Sequence, residues 1–258
     1  MEKILKRPKS RGRHRLWEHD AACCQEVPAL IGVDEAGRGA FAGPVVAAAI
    51  WVDHAFFDNE KFKKVTKPMY DSKALAAVER AELLETIQSL EKQLVLRCAS
   101  GMATAAEVEK YNVLGATRLA MQRSLENLDV LLEVQSNMLL FESRSHEAYP
   151  RVLIDGRMLK HFPYAHEGLV QGDARSLVIA MASIVAKVTR DKYMTALAKQ
   201  YPSYGFDKHK GYGTKAHQAA IDCHGTIVEH RLSFIKGNPE NFKTKLPNAQ
   251  TEFNLARS

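Results

Sequence analysis

Two adjacent carboxylates, Asp34 and Glu35, close an apolar run (Ala29, Leu30, Ile31, Val33) and lead straight into a glycine-flanked arginine in GVDEAGRG. Further along, Asp155 ends VLID just ahead of Gly156, and Asp173 stands in QGDARS, shortly before a long apolar stretch. A carboxylate at the C-terminal end of a strand is well placed for chemistry, whereas one ahead of a helix can simply be its N-cap, and for Asp173 alone the cap is the simpler reading. Four acids set so near apolar elements would repel one another and lose hydration unless a cation neutralised them. Carboxylates without histidine or thiolate partners suit Mg2+ or Mn2+, hard cations that prefer oxygen. A two-metal phosphodiester hydrolase follows from such a donor set, one ion activating water and the other stabilising the leaving oxygen. In a regular strand Asp34 and Glu35 would point to opposite faces, so the pleat is expected to break at Glu35, as Ala36 and Gly37 would permit.

The same glycines imitate a different chemistry. Gly37, Gly39 and Gly43 follow a strand, and Asp53 ends the next strand-like run, in the manner of a dinucleotide-binding fingerprint. That fingerprint needs a helix after the glycines, its N-terminus facing a pyrophosphate. Here Pro44 and the β-prone VVAAAIWV follow at once and leave no room for one, so a hairpin is expected.

The elements that must position these residues read as α/β. Leu30 to Asp34, VVAAAIWV, Leu94 to Ser100 and Val152 to Ile154 are strand-like. A helix is expected from near Ser72 through Ala81, Leu84, Ile87 and Leu90. Thr104 and Glu107 form a capping box that opens a second, running towards Leu128 with a break near Gly115. Leu177, Met181, Ile184 and Val188 mark one face of a third, reaching about Gln200. Strands come first and then mix with helices, which gives an α/β domain with a helical end.

Composition narrows the class. The 258 residues are 46% hydrophobic, enough for a full core, and no long uncharged apolar run could span a membrane. Cys23, Cys24, Cys98 and Cys223 offer neither a zinc site nor a disulfide framework, so a reducing, cytoplasmic setting is expected. The net charge of +6 is confined to residues 1–16, where seven basic residues face Glu2 alone, and the rest of the chain nets to zero. The expected layout is a disordered basic tail over residues 1–27 that adds phosphate affinity, a catalytic domain over 28–235, and a polar tail over 236–258. An arginine-rich start poor in acids also keeps an organelle transit peptide open.

GVDEAGRGAFAGPVVAAAI, DSKAL, LIDG, GDARSLVIAMASIVAKVTRDKYM, YGFDKHKGYGT and EHRLSF stand in the order found in bacterial type 2 ribonuclease H, and most of residues 30–235 resembles that family. The resemblance implies an RNase H-like fold, a mixed five-stranded sheet flanked by helices. It implies that Asp34, Glu35, Asp155 and Asp173 bind two divalent metal ions, Mg2+ or Mn2+. Gly37, Arg38 and Gly39 would approach a 2′-hydroxyl through their backbone, with the Arg38 side chain left to reach phosphate. Tyr212 would stack on the deoxyribose after the ribonucleotide and so check for an RNA-to-DNA junction. Ser72, Lys73, Lys187 and Arg190 would hold the nucleic-acid backbone, joined by His209 and Lys210. Ser183 and Thr189 lie in the matching helix, where packing or back-bonding explains them as well. A type 3 relative usually has threonine where Arg38 stands.

The implied activity is hydrolysis of the phosphodiester 5′ of a ribonucleotide, in RNA/DNA hybrids and in duplex DNA with embedded ribonucleotides, leaving 3′-hydroxyl and 5′-phosphate ends. The implied role is the start of ribonucleotide excision, by a monomer, with no clear clamp-binding sequence in the C-terminal tail. His217, His224 and His230 lack metal-ligand spacing and are expected to be surface or structural, and Arg231 is a candidate substrate contact. The segment between Leu128 and Val152 is longer than the usual link. A DNA nuclease of the same superfamily, a binding module without catalysis and a nicotinamide-dependent oxidoreductase are the rivals.

Overall fold

The computed structural model describes residues 13–70, 75–136 and 149–235. Five strands, β1 (Ala29–Ala36), β2 (Val45–Asp53), β3 (Arg97–Ala103), β4 (Arg151–Asp155) and β5 (Glu167–Leu169), form one mixed sheet in the order β3-β2-β1-β4-β5. The first three are antiparallel neighbours, and β4 and β5 continue the sheet in parallel with β1. Helices α1 (Arg13–Cys24), α2 (His54–Phe57), α3 (Glu60–Thr66), α4 (Ala77–Lys92), α5 (Ala105–Ser136), α6 (Leu177–Gln200), α7 (Phe206–His209) and α8 (Lys215–His224) complete it.

Period-two alternation along the strands sets the layers. Leu30 of β1 and Ala48, Ile50 and Val52 of β2 face α6, α4 and α1. Ile31 and Val33, with Val45, Ala47 and Ala49, face α5. Each fully buried Leu, Ile or Val side chain in these two layers contributes about 1.5–3 kcal/mol. Gly32 lies on the α6 face, and a Cβ there would stand 2.3 Å from the Val178 carbonyl carbon. The glycine therefore lets α6 lie directly on β1, next to the acids that follow it. A third cluster, built on Met194, Leu197, Tyr204, Phe206, Ile221 and Ile227, holds the helical C-terminal part.

The expected hairpin is present, with β1 and β2 in register from Ala29↔Asp53 to Ala36↔Val46. Asp53 caps α2 by accepting from the Phe56 amide at 3.2 Å. The capping box also forms: the Thr104 amide donates to Glu107 Oε2 at 2.8 Å, and the Glu107 amide to Thr104 Oγ1 at 3.2 Å. The break in α5 falls at Asn112 (φ 55°), whose Oδ1 accepts from the amides of Leu114 and Gly115, and the helix runs on to Ser136.

Two expectations are corrected. Residues 13–24 of the expected disordered tail form helix α1, because Leu16, Trp17 and Cys24 join the α6-side core. Asp20, fully buried, accepts from Ser176 Oγ at 3.0 Å and from the Val178 amide at 2.9 Å, tying α1 to the start of α6. Nor does the pleat break at Glu35, since β1 keeps its register with β2 through Glu35↔Ala47. Residues 1–12, 137–148 and 236–258 lie outside the described residues, as do Ser72 and Lys73.

Candidate active site

The site grows from the place where the pairing of two parallel strands ends. β1 and β4 are paired up to Val33↔Ile154, so the next step along each strand is Asp34 and Asp155. Val33 and Ile154 face α5, hence both acids fall on the α6 face. Asp173 reaches the same place from the other direction, in a single 3-10 turn, Gly172–Ala174, that precedes α6. The Gly172 amide donates to Asp155 Oδ1 at 2.7 Å, which fixes this turn against the end of β4. Asp173 is 8% exposed and is not the cap of α6. That role belongs to Ser176, whose side chain accepts from the Ile179 amide. The simpler reading of Asp173 thus falls away.

Asp34 is the most deeply set of these acids, at 2% exposure. Its Oδ1 accepts from the Glu35 amide at 2.7 Å, while Oδ2 is buried with no hydrogen-bond partner. Burial holds the carboxyl well above its ordinary pKa, reinforced by the charges of Glu35 and Asp155; the Ser183 hydroxyl and the Glu35 amide act against this. A buried carboxylate oxygen left without a donor, facing like charges, is the arrangement a cation relieves. The donors are hard oxygens, suited to Mg2+ or Mn2+ rather than to softer metals. Among the described residues, no three carboxylate, imidazole or thiol groups already enclose a metal position. The acids therefore fit hard divalent cations as an open set, not as a finished cage.

Beside the acids lies a cleft of about 490 Å³ lined by Glu35, Ala36, Gly37, Arg38, Gly39, Ser183, Lys187 and Tyr212. With the pleat intact, Glu35 departs from the strand on the opposite parity to Asp34, yet it lines this cleft with residues of α6. β1 has no β4 partner beyond Val33, so the end of the strand is open on that side. Arg38 Nη1 donates to Glu35 Oε1 at 3.2 Å, and its side chain remains half exposed. Lys187 lines the cleft while paired with Asp191 at 2.6 Å. Tyr212, 37% exposed, has Arg190 Cζ 5.4 Å and Lys187 Nζ 5.9 Å from its ring centre. A larger hollow, about 540 Å³, lies in the C-terminal part around Pro202, Tyr204, Lys208 and Thr214, away from the acids. Chemistry favours the smaller cleft.

Arg190 does not stand where a phosphate contact would need it. It is fully buried, and its guanidinium donates to the carbonyls of Pro44 (2.9 Å), Lys210 (2.9 Å) and Ala42 (3.0 Å). It braces the loop between β1 and β2, and Gly37 (φ +94°) packs so closely on it that a Cβ would lie 1.9 Å from Arg190 Nε. Arg231, the other candidate contact, is fully buried as well. His209 is structural, its Nε2 2.7 Å from the Tyr204 carbonyl, and Lys210 donates to Thr195 Oγ1 at 2.8 Å. His217 and His230 are buried and paired, as the structural reading expected. Sequence reasoning missed Asp20, whose spacing from Leu16, Trp17 and Cys24 marks one helical face within a run read only for its charge.

The geometry is matched by kinship. Residues 31–236 match the family described as Ribonuclease HII. A protein from Pseudothermotoga lettingae named Ribonuclease HII is 41% identical over 225 residues, covering 86% of this chain and 84% of that protein. Among solved structures, ribonuclease H2 from Pyrococcus horikoshii superposes with a TM-score of 0.53 at 22% identity, over 80% of this chain and 93% of that one. Bst-RNase HIII in complex with Mn2+ gives 0.52 at 17% identity, over 86% of this chain and 68% of that one. The mixed five-stranded sheet is shared with these structures, and the sequence match across the sheet, the acids and α6 assigns this chain to the ribonuclease HII family, the RNase H type 2 endonucleases.

Proposed function

We propose that this chain cuts the phosphodiester on the 5′ side of a ribonucleotide, both in RNA/DNA hybrids and in duplex DNA carrying embedded ribonucleotides, leaving 3′-hydroxyl and 5′-phosphate ends. The observation that carries the reading is the pairing of β1 with β4, which sets Asp34 beside Asp155 with one buried oxygen unpartnered, at the edge of the cleft that holds Gly37, Arg38, Gly39 and Tyr212. Asp34, Glu35, Asp155 and Asp173 would hold two divalent cations, Mg2+ or Mn2+, and the Mn2+ complex of Bst-RNase HIII, a protein of like fold, supports that choice. When bound, such ions activate water and stabilise the charge on the leaving oxygen.

The chain's own groups do the rest. Among the described residues the amides of Arg38 and Gly39 have no acceptor, so they can donate to a 2′-hydroxyl, which tells ribose from deoxyribose. The exposed Tyr212 ring offers a stacking face to the next sugar, and the Arg190 and Lys187 cations near its centre help to hold the ring in place. Arg38 and Lys187 supply positive charge in the cleft lining. Lys73 and Ser72 belong to the same proposal as backbone contacts. In the cell this activity, in a cytoplasmic monomer, would begin the removal of ribonucleotides misincorporated into DNA.

The test incubates the protein, with Mg2+ and then Mn2+, with end-labelled duplex DNA carrying one ribonucleotide, beside all-DNA and RNA/DNA hybrid controls. A cut just 5′ of the ribonucleotide is expected. Cleavage confined to the long hybrid would point instead to a type 1 or type 3 specificity, and cleavage of the all-DNA duplex to a DNA nuclease.

A further inference from the structure

Arg231 is fully buried, does not line the cleft, and spends its guanidinium on backbone carbonyls. Nη1 donates to Gly37 O at 2.8 Å and Arg38 O at 3.0 Å, and Nε and Nη2 donate to Gly43 O at 2.9 and 2.7 Å. Together with Arg190 this puts two guanidinium groups beneath one short loop. Burial and the charge of Arg190 depress the Arg231 pKa to about 10, so the arrangement is costly by itself. Such an expense at one loop calls for a reason beyond packing.

The reason lies in peptide geometry. Every peptide bond among the described residues is trans, and in a trans peptide the C=O and the N–H point in opposite directions. Drawing the Gly37 carbonyl inward therefore turns the Arg38 N–H outward, and drawing in the Arg38 carbonyl turns out the Gly39 N–H. Neither amide has an acceptor among the described residues, and Arg38 and Gly39 are exposed on the cleft wall.

We propose that Arg231 is a positioning residue for ribonucleotide recognition: without touching the substrate, it holds two successive peptide planes so that the Arg38 and Gly39 amides face a 2′-hydroxyl in the cleft. This rests on the reading of the cleft as the ribonucleotide site. Arg190 braces the same loop at Ala42 and Pro44 but holds neither of these two carbonyls; the Ala40 amide also donates to Gly37 O at 3.3 Å, whereas among the described residues Arg38 O accepts from Arg231 alone.

The experiment measures equilibrium affinity, in Ca2+ under conditions checked on gels for absence of cleavage, for a duplex with one ribonucleotide and for the same duplex in all-DNA form. The wild-type protein is expected to prefer the ribonucleotide duplex. Arg231→Lys keeps the buried charge but not the fork, and should cut that preference by about tenfold, the worth of a hydrogen bond or two, while changing all-DNA affinity less than twofold. Leu197→Ala, in the separate C-terminal cluster, provides a destabilised comparison and should keep the preference. An undiminished preference in folded Arg231→Lys overturns the positioning role alone, as does an equal loss in Leu197→Ala. Absence of any preference in the wild type overturns the reading of the cleft and the proposal with it. Should Arg231→Lys fail to fold, amide NMR of the wild type decides: Arg38 and Gly39 shifts that respond to the ribonucleotide duplex and not to all-DNA are expected, and equal responses to both overturn the proposal.

Discussion

His230 and His217 meet Nε2 to Nε2 at 3.1 Å, and the bonds on either side fix which ring donates. His230 Nδ1 accepts from the Ile227 amide at 2.9 Å, so the His230 proton sits on Nε2 and points at His217. His217 then carries its proton on Nδ1, 3.0 Å from the Tyr212 carbonyl. The chain of bonds ends on the residue proposed to read the junction, and it works only while both rings are neutral. Burial pushes each imidazole down to about 4, with His209, stacked 4.5 Å from His217, adding repulsion.

That pair makes stability depend on pH with a definite sign. Both folded values lie below the ordinary histidine value of 6.5, so the unfolded chain takes up protons first as pH falls. The stabilisation is fully present above pH 6.5 and is lost as pH falls from there to about 4, each ring contributing a slope of up to ~1.4 kcal/mol per pH unit. Thermal melts of the wild type and of His230→Gln across this range should show the shallower slope in the variant. Parallel slopes would remove the pair from the account of acid sensitivity.

Asp34→Asn should abolish cleavage and at the same time raise stability in metal-free buffer. The amide keeps the acceptor for the Glu35 N–H, removes a buried charge from the neighbourhood of Glu35 and Asp155, and gives the unpartnered corner a donor. A gain of about 1 kcal/mol, or some 2–4 °C in Tm, is expected. Titrating Mn2+ should raise the Tm of the wild type and leave the variant nearly unmoved. Equal Mn2+ stabilisation of both proteins would strike Asp34 from the proposed ligands.

Tyr212→Ala removes a part-exposed ring whose centre lies 5.4 Å from Arg190 Cζ and 5.9 Å from Lys187 Nζ. Stacking of this kind is worth about 1–3 kcal/mol, so kcat/KM on a single-ribonucleotide duplex should fall roughly 5- to 150-fold. Long RNA/DNA hybrid should suffer less, and Tyr212→Phe should remain close to wild type on both. Equal losses on the two substrates would argue that the ring supports the loop instead of reading the junction.

Much of this architecture is visible along the chain because the signals are local. Short apolar runs mark β1 and β2, the four-three-four spacing from Leu177 marks α6, and Thr104 with Glu107 announces the start of α5. What escapes is set by tertiary contact. β5 has three residues and no buried pattern, so only its pairing with β4 makes it a strand. Glu35 stays in the pleat because β2 holds it there, and the room it needs comes from the early end of β4. Arginines usually signal surface charge, and nothing beside Arg190 or Arg231 in sequence says that carbonyls of the β1–β2 loop, 146 to 194 positions away, would absorb them.

The helix hidden in the basic arm gives the last prediction. Asp20 accepts the Ser176 hydroxyl and the Val178 amide, so it closes the first turn of α6 from outside, three residues after Asp173. A carboxylate there also meets the positive end of a long helix. Asp20→Ala leaves the Val178 amide buried without an acceptor and should cost about 2 kcal/mol, lowering Tm by some 4–8 °C. Because Ser176 and the Asp173 turn share the freed segment, kcat should fall several-fold at temperatures where the variant is fully folded, while KM for the ribonucleotide duplex stays near wild type. A lowered Tm with unaltered kcat would confine Asp20 to stability and show that the Asp173 turn is held by the Gly172 to Asp155 bond alone.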